Sequence, residues 1–322
     1  MINKPILSLV IPCFNEEEVI TTTFEKLYAY NAELVKKGVI HSDSVIIFVD
    51  DGSKDNTWNI LEQIVSKYQN VISLKLSKNF GHQNALLAGL IYSQKIVDCA
   101  ISIDADLQQD FLVIESMVKR YSKGVELVYG VRNKRIGEKK SKQLMSNLFY
   151  KILRIMGVDV VANHADFRLH GKKSLTALLD FKEHQLFLRG IFPSMGFTSE
   201  VIGFDQDKRY LGDSKYTLRK MFSLAISGIT SFSTAPLRMI FLTGFLVLII
   251  SIIMSLKVLW NWYSGDVVPG WTELMLSIYF LGAIQLISIG FIGEYMSKVH
   301  HEIIDRPRYI VDKMVKSSEP NV

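Results

Sequence analysis

Cysteine is scarce in this chain: Cys13 and Cys99 are the only two among 322 residues. Two thiols build neither a disulfide framework nor a four-cysteine zinc site, and their scarcity fits a reduced, cytosolic setting. Glycine-rich phosphate loops are also missing. No G-x-x-x-x-G-K-[ST] run occurs, which argues against a P-loop NTPase. No G-x-G-x-x-G follows the first apolar run, which argues against a dinucleotide dehydrogenase, and no G-x-S-x-G elbow of a serine hydrolase is present. Charge of either sign is modest, 37 Lys+Arg against 32 Asp+Glu for a net +5, and charged residues make up 21% against 48% hydrophobic. With a mean hydropathy of +0.19, disorder is excluded as the main state, and a globular part joined to a separate apolar part is expected. Neither an internal repeat nor a low-complexity linker is visible. No signal peptide is read: the apolar run Ile6–Pro12 is short and the acidic Glu16–Glu18 follows it.

What the chain does have is two long uncharged runs. Met239–Leu256 holds 18 residues between Arg238 and Lys257, and Leu274–Gly293 holds 20 between Glu273 and Glu294. As helices they span about 27 and about 30 Å, close to a bilayer's hydrocarbon core. Trp260, Trp262, Tyr263 and Trp271 cluster between them as an interfacial belt would. Arg219, Lys220 and Arg238 precede the pair, Lys298, Arg306, Arg308 and Lys313 follow it, and the connector region carries only Lys257. The positive-inside rule then places both termini in the cytoplasm of a multi-pass protein of the cell (inner) membrane. Tyr216–Ser233 carries Leu218, Met221, Phe222, Ala225, Ile226 and Ile229 at helical spacing, as an amphipathic helix in the headgroup layer would. A pI near 8.9 is explained by this membrane contact, and no nucleic-acid partner is expected.

The first 210 residues alternate apolar runs with helical periodicity. Strands are expected at Ile6–Ile11, Val45–Val49, Val71–Leu76, Cys99–Ile103 and Leu127–Gly130, and helices at Glu17–Lys36, Thr57–Lys67, Gln83–Ser93 and Phe111–Tyr121. That alternation predicts an α/β, Rossmann-like, mostly parallel sheet covered by helices. Three strands end in polar clusters, Asn15-Glu16, Asp50-Asp51 and Asp104/Asp106. Ligands of open α/β sheets bind beyond the carboxyl ends of the strands, so these clusters should line one crevice. Asp104-x-Asp106 offers hard oxygen ligands to Mg²⁺ or Mn²⁺.

These residues resemble a known family. Pro12-Cys13-Phe14-Asn15-Glu16-Glu17, Asp50-Asp51-Gly52-Ser53, Asn79-Phe80-Gly81-His82 and Asp104-Ala105-Asp106-Leu107-Gln108 are similar to the motifs of family 2 glycosyltransferases of the GT-A fold. Gly130-Val131-Arg132, Ala165-Asp166-Phe167-Arg168-Leu169, Phe187-Leu188-Arg189-Gly190, Gly212-Asp213-Ser214-Lys215-Tyr216, Gly293-Glu294-Tyr295 and Arg306-Pro307 narrow the resemblance. In that order, with two spans, they resemble bactoprenol (undecaprenyl-phosphate) glucosyltransferases, relatives of dolichol-phosphate mannose synthase. The resemblance runs from about residue 6 to about residue 310.

The resemblance implies a metal-dependent hexosyltransferase that moves a sugar, with glucose from UDP-glucose favoured, onto a polyprenyl phosphate with inversion. It implies that Pro12, Phe14, Glu16, Val49 and Asp51 hold base and ribose. Asp104, Ala105 and Asp106 would take the metal and diphosphate, with Arg132 near the diphosphate. Asp166 matches the position usually proposed as the base. Arg168, Arg189, Arg209, Ser214 and Lys215 are candidates for the acceptor phosphate or the diphosphate, arginine through its planar fork. Departures occur at Gln109-Asp110, where Asp-Pro is common, at His164-Ala165, and at Leu211. The implied layout is a GT-A domain over 1–214, a juxtamembrane helix over 215–235, a two-helix transmembrane region over 236–298 and a cytoplasmic tail over 299–322. A nucleotide sugar, a polyprenyl phosphate, the bilayer and a second copy of the chain are the expected partners. Two rival readings are another donor (UDP-N-acetylglucosamine or GDP-mannose) and a non-enzymatic membrane scaffold for glycan assembly.

Overall fold

The computed structural model describes residues 4–133, 164–181, 188–205, 235–264, 270–304 and 306–317. The chain divides into two compact units: Met1–Arg154 with Asp159–Leu218 and Pro307–Val322, and Ile155–Val158 with Arg219–Arg306.

The first unit is built on an eight-stranded sheet. Its strands are β1 (Leu7–Cys13), β2 (Val45–Asp50), β3 (Val71–Leu76), β4 (Cys99–Ser102), β5 (Leu127–Arg132), β6 (His164–Gly171), β7 (Ser199–Phe204) and β8 (Val311–Lys316), in the order β7-β5-β6-β4-β1-β2-β3-β8. β1 pairs in parallel with β2 and β4, β2 with β3, and β5 with β7. Antiparallel pairing enters at β6, which lies between β4 and β5, and at β8, which lies along β3. The sheet is therefore mostly parallel, as the alternation predicted. β1 is buried along its whole length, which explains its unbroken apolar run: helices cover both faces of a parallel sheet.

The helices are α1 (Ile20–Lys36), α2 (Thr57–Lys67), α3 (His82–Ile96), α4 (Val113–Tyr121), α5 (Lys172–Ala177) and α6 (Leu188–Ser194). α1 buries Ile20, Phe24, Leu27, Asn31 and Leu34 on one stripe, the three-to-four spacing of an amphipathic helix. Each fully buried Leu, Ile or Phe of this core contributes about 1.5–3 kcal/mol. α3 lies unusually close to the sheet. A Cβ on Gly89 would collide with Val10 and meet Val49 Cγ2 at 3.0 Å. That approach fixes α3 against β1 and β2 and brings its N-terminus to the carboxyl ends of the strands.

The second unit contains α7 (Ala235–Tyr263) and α8 (Trp271–Ile304). Both present large apolar side chains outward, including Ile253 at 60% exposure and Leu286 at 72%. Among the described residues, one window, Phe280–Ser297, is long and apolar enough to cross a membrane. The juxtamembrane helix expected at 215–235 lies, but for its last residue, outside the described residues, as do Arg209, Ser214 and Lys215. The stretch expected as a tail supplies β8, whose register runs from Ile72↔Lys316 to Leu76↔Val311.

Candidate active site

Because β1, β2 and β4 run in parallel, their carboxyl ends share one edge of the sheet. The loops beyond β1 and β2 are stapled together there. The amides of Asn15 and Glu16 donate to Ser53 Oγ at 2.9 Å and Thr57 Oγ1 at 2.9 Å, and Lys54 N–H donates to Asn15 Oδ1 at 2.9 Å. Asn15 takes a left-handed φ of 54° to make this turn. Pro12 and Val49 pair across the two strands and are buried, while Phe14 is 39% exposed beside the edge.

Asp51, expected at the base and ribose, directly follows β2. It is only 2% exposed, and its carboxylate accepts the amides of Phe80 at 2.7 Å and Gly81 at 2.9 Å. Burial pushes its pKa up, and those two amides pull it back. Asp51 is thus the clamp that holds the loop before α3. Gly52 beside it is obligatory: φ is 68°, and a Cβ would meet Lys78 Cα at 2.7 Å and Asn79 N at 2.8 Å.

Asp104 and Asp106 follow β4 in a turn that puts Leu107 at a φ of 45°. Asp104 accepts a hydrogen bond from Gln109 Nε2, and the Gln108 amide donates to Asp106 Oδ1 at 3.3 Å. Burial first, then the neighbouring Asp166 and Asp106 carboxylates, raise the Asp104 pKa, with His82 opposing. Such crowding of negative charge is what a divalent cation relieves. Among the described residues no group of three or more His, Cys, Asp or Glu is arranged to hold a metal ion by itself. Two carboxylates that leave the remaining ligands to phosphates and water suit Mg²⁺ or Mn²⁺, so the residues fit that group.

Asp166 projects from β6 into a ring of cations. Arg168 Nη2 donates to its Oδ1 at 2.7 Å, and Arg189 Nη2, from α6, to its Oδ2 at 3.2 Å. His82 Nε2, from the first residue of α3, stands 3.6 Å from Asp166 Oδ2 and 3.7 Å from Asp104 Oδ1. Burial alone would raise the Asp166 pKa, but Arg189, His82 and Arg168 outweigh it and hold the carboxyl well below the usual range. For His82, burial works against the charge, and Asp166 with Asp104 raise its pKa nonetheless.

The arginines expected at the phosphates differ in exposure. Arg168 has no exposed surface: its guanidinium lies against the Phe192 ring at 5.0 Å and donates from Nη1 to Leu188 O at 3.3 Å. It faces inward behind Asp166 and offers nothing to a phosphate. Arg189, with a side chain 30% exposed, keeps a surface for one. Arg132 ends β5 and is partly exposed. His82 and Gln109 are the residues that sequence reasoning left without a role. For Gln109 the signal was its place in the departure after Asp106; for His82 it was the landmark Asn79-Phe80-Gly81-His82.

The glycosyl transferase family 2 profile matches residues 8–181, the stretch from β1 to just beyond α5. The chain belongs to that family. Among relatives of this glycosyltransferase, an uncharacterized glycosyltransferase, YkoT, of Bacillus subtilis is 44% identical over 96% of this chain and 92% of its own. A prophage bactoprenol glucosyl transferase homolog of Escherichia coli is 34% identical over 96% and 99%. The bactoprenol glucosyl transferase of Shigella phage SfII is 34% identical over 95% and 97%.

Proposed function

We propose that this glycosyltransferase moves a hexose from a nucleotide sugar to the phosphate of a polyprenyl phosphate, with inversion, at the cytoplasmic face of the membrane. Undecaprenyl phosphate is the proposed acceptor and UDP-glucose the proposed donor. The relatives named bactoprenol glucosyl transferase support the acceptor class. The observation that carries the reading is the convergence of Asp104, Asp166 and Arg189 from three separate elements upon one crevice.

The chemistry follows from the charges. A phosphate acceptor is already anionic near neutral pH, so its oxygen attacks the anomeric carbon without surrendering a proton to a base. Asp166, held ionised by two arginines and a histidine, is poorly suited to take one. It instead aims Arg189 at the acceptor phosphate, whose fork of donors suits that group. When bound at Asp104 and Asp106, a divalent cation offsets the charge that develops on the departing diphosphate. The exposed edge at Phe14 and Glu16 receives the base and ribose, and Asp51 acts on them through the loop it clamps.

The test is a donor screen on the purified full chain with undecaprenyl phosphate and Mg²⁺ or Mn²⁺. UDP-glucose is expected to give a lipid-linked sugar and UDP, and EDTA to stop it. Faster transfer from UDP-N-acetylglucosamine or GDP-mannose would replace the donor. UDP binding with no transfer from any donor would favour the scaffold reading.

A further inference from the structure

We propose that His82 is a catalytic residue whose Nε2–H donates a hydrogen bond to the sugar–phosphate oxygen that departs with the nucleotide diphosphate. This rests on the transferase reading above. Asp104 belongs to the donor-diphosphate side of that reading and Asp166 to the acceptor side. His82 Nε2 stands between them, 3.7 Å from Asp104 Oδ1 and 3.6 Å from Asp166 Oδ2. A group midway between the two sides lies beside the bond that breaks. Both separations are longer than an ordinary hydrogen bond, so a substrate oxygen entering the crevice can compete with the two carboxylates for the N–H. The side chain is 44% exposed, which opens it to the crevice rather than the core.

The ring is also held firmly. The residues before it are clamped through the Phe80 and Gly81 amides on Asp51. The residue after it ties α3 to α6, because Gln83 Oε1 accepts the Leu188 amide at 3.1 Å. A donor fixed in advance where charge develops stabilises the transition state without reorganising. In the step itself, an acceptor phosphate oxygen forms its bond to the anomeric carbon. The bond from that carbon to the diphosphate oxygen breaks, and its electron pair stays on the oxygen. His82 keeps its proton throughout, so the nucleoside diphosphate leaves as the anion.

The experiment compares the parent, His82→Ala and His82→Gln as full chains. It uses calorimetry of the intact nucleotide sugar with Mn²⁺ and no lipid acceptor, and steady-state kinetics with the donor that the parent turns over. Removing one such donor costs about 10²–10³-fold in kcat. His82→Ala is expected to show that loss with affinity for the intact nucleotide sugar kept within about twofold, because the contact strengthens only as the bond breaks. His82→Gln carries an amide donor of similar reach and is expected to recover at least about tenfold of it. Parental kcat in His82→Ala would overturn the proposal. So would a loss of affinity for the intact nucleotide sugar as large as the loss of kcat, since a mere strut between two carboxylates would loosen Asp104 when removed. A parent that binds UDP but transfers no sugar would bring down the transferase reading, and this inference with it, before any variant is made.

Discussion

Asp166, Arg168 and His170 occupy alternate positions of β6, and alternate residues of a strand share a face. That face is closed by α6: the His170 ring packs on Phe192 with centroids 4.2 Å apart, and neither ring nitrogen has a hydrogen-bond partner. Burial, and then the adjacent Arg168, hold the His170 pKa well below its ordinary value. Folded His170 therefore stays neutral while unfolded His170 takes a proton below about pH 6.5. The unfolded state binds more protons there, so stability falls as pH drops, by about 1.4 kcal/mol per unit below that value. His170→Asn removes the titrating group. Unfolding followed from pH 7.5 to 5.5 is expected to show the gap between variant and parent shifting in the variant's favour by about that amount; parallel curves would refute the buried neutral imidazole. Little of this was legible in the sequence. Asp104 and Asp106 were, because two near-adjacent carboxylates follow an apolar run. Asp166-Phe167-Arg168-Leu169-His170 alternates polar with apolar, which normally marks one wet face. Here both faces are covered, so the pattern gave no sign that Arg168 points inward. The meeting of His82 with Asp166 joins α3 to β6, and no spacing in the chain announces it.

At the scale of elements, the parallel core was readable and the antiparallel additions were not. Val71–Leu76 and Thr57–Lys67 fall where their apolar periodicity put them, because buried parallel strands are continuous apolar runs. β6 carries His, Asp and Arg among its residues, and β8 reads Val-Asp-Lys-Met-Val-Lys with five of six residues exposed, so neither resembles a core strand. β8 nevertheless has a job that its composition hides. It runs along β3, whose Val71, Leu74 and Leu76 are at most 2% exposed, and Val315 packs against the core. Without β8, β3 becomes a long apolar edge, which invites pairing with other chains. A chain ending at Arg306 should lose about 1 kcal/mol from the partly buried Val315 contact, worth a melting midpoint about 2–4 °C lower. Size-exclusion chromatography should show it aggregating where the full chain elutes as one species. A truncated protein with the parental midpoint and elution profile would mean that β8 is dispensable.

Over the whole molecule, the sheet constrains the membrane topology. β7 and β8 belong to one sheet, and a sheet lies wholly on one side of a bilayer. The chain between Phe204 and Val311 must therefore cross an even number of times. If Phe280–Ser297, the apolar window within α8, crosses once, a second crossing is required. We propose α7 for it, on length: 29 residues reach about 44 Å, beyond the roughly 30 Å of hydrocarbon. The short connector then faces away from the sheet. With basic residues concentrated before α7 and after Gly293, a cytoplasmic sheet is the orientation to expect from the positive-inside rule, and labelling tests it. Cys13 and Cys99 are buried and free, so an introduced thiol reports without background. Ser264→Cys, just past the end of α7, is expected to react with a membrane-impermeant maleimide on intact cells. Lys316→Cys, exposed on β8, is expected to react only after permeabilisation. The reverse pattern would invert the orientation but keep the parity. Labelling of both sites on intact cells, or of neither until the cells are opened, would put connector and sheet on the same side and leave α7 and α8 as surface helices rather than spans.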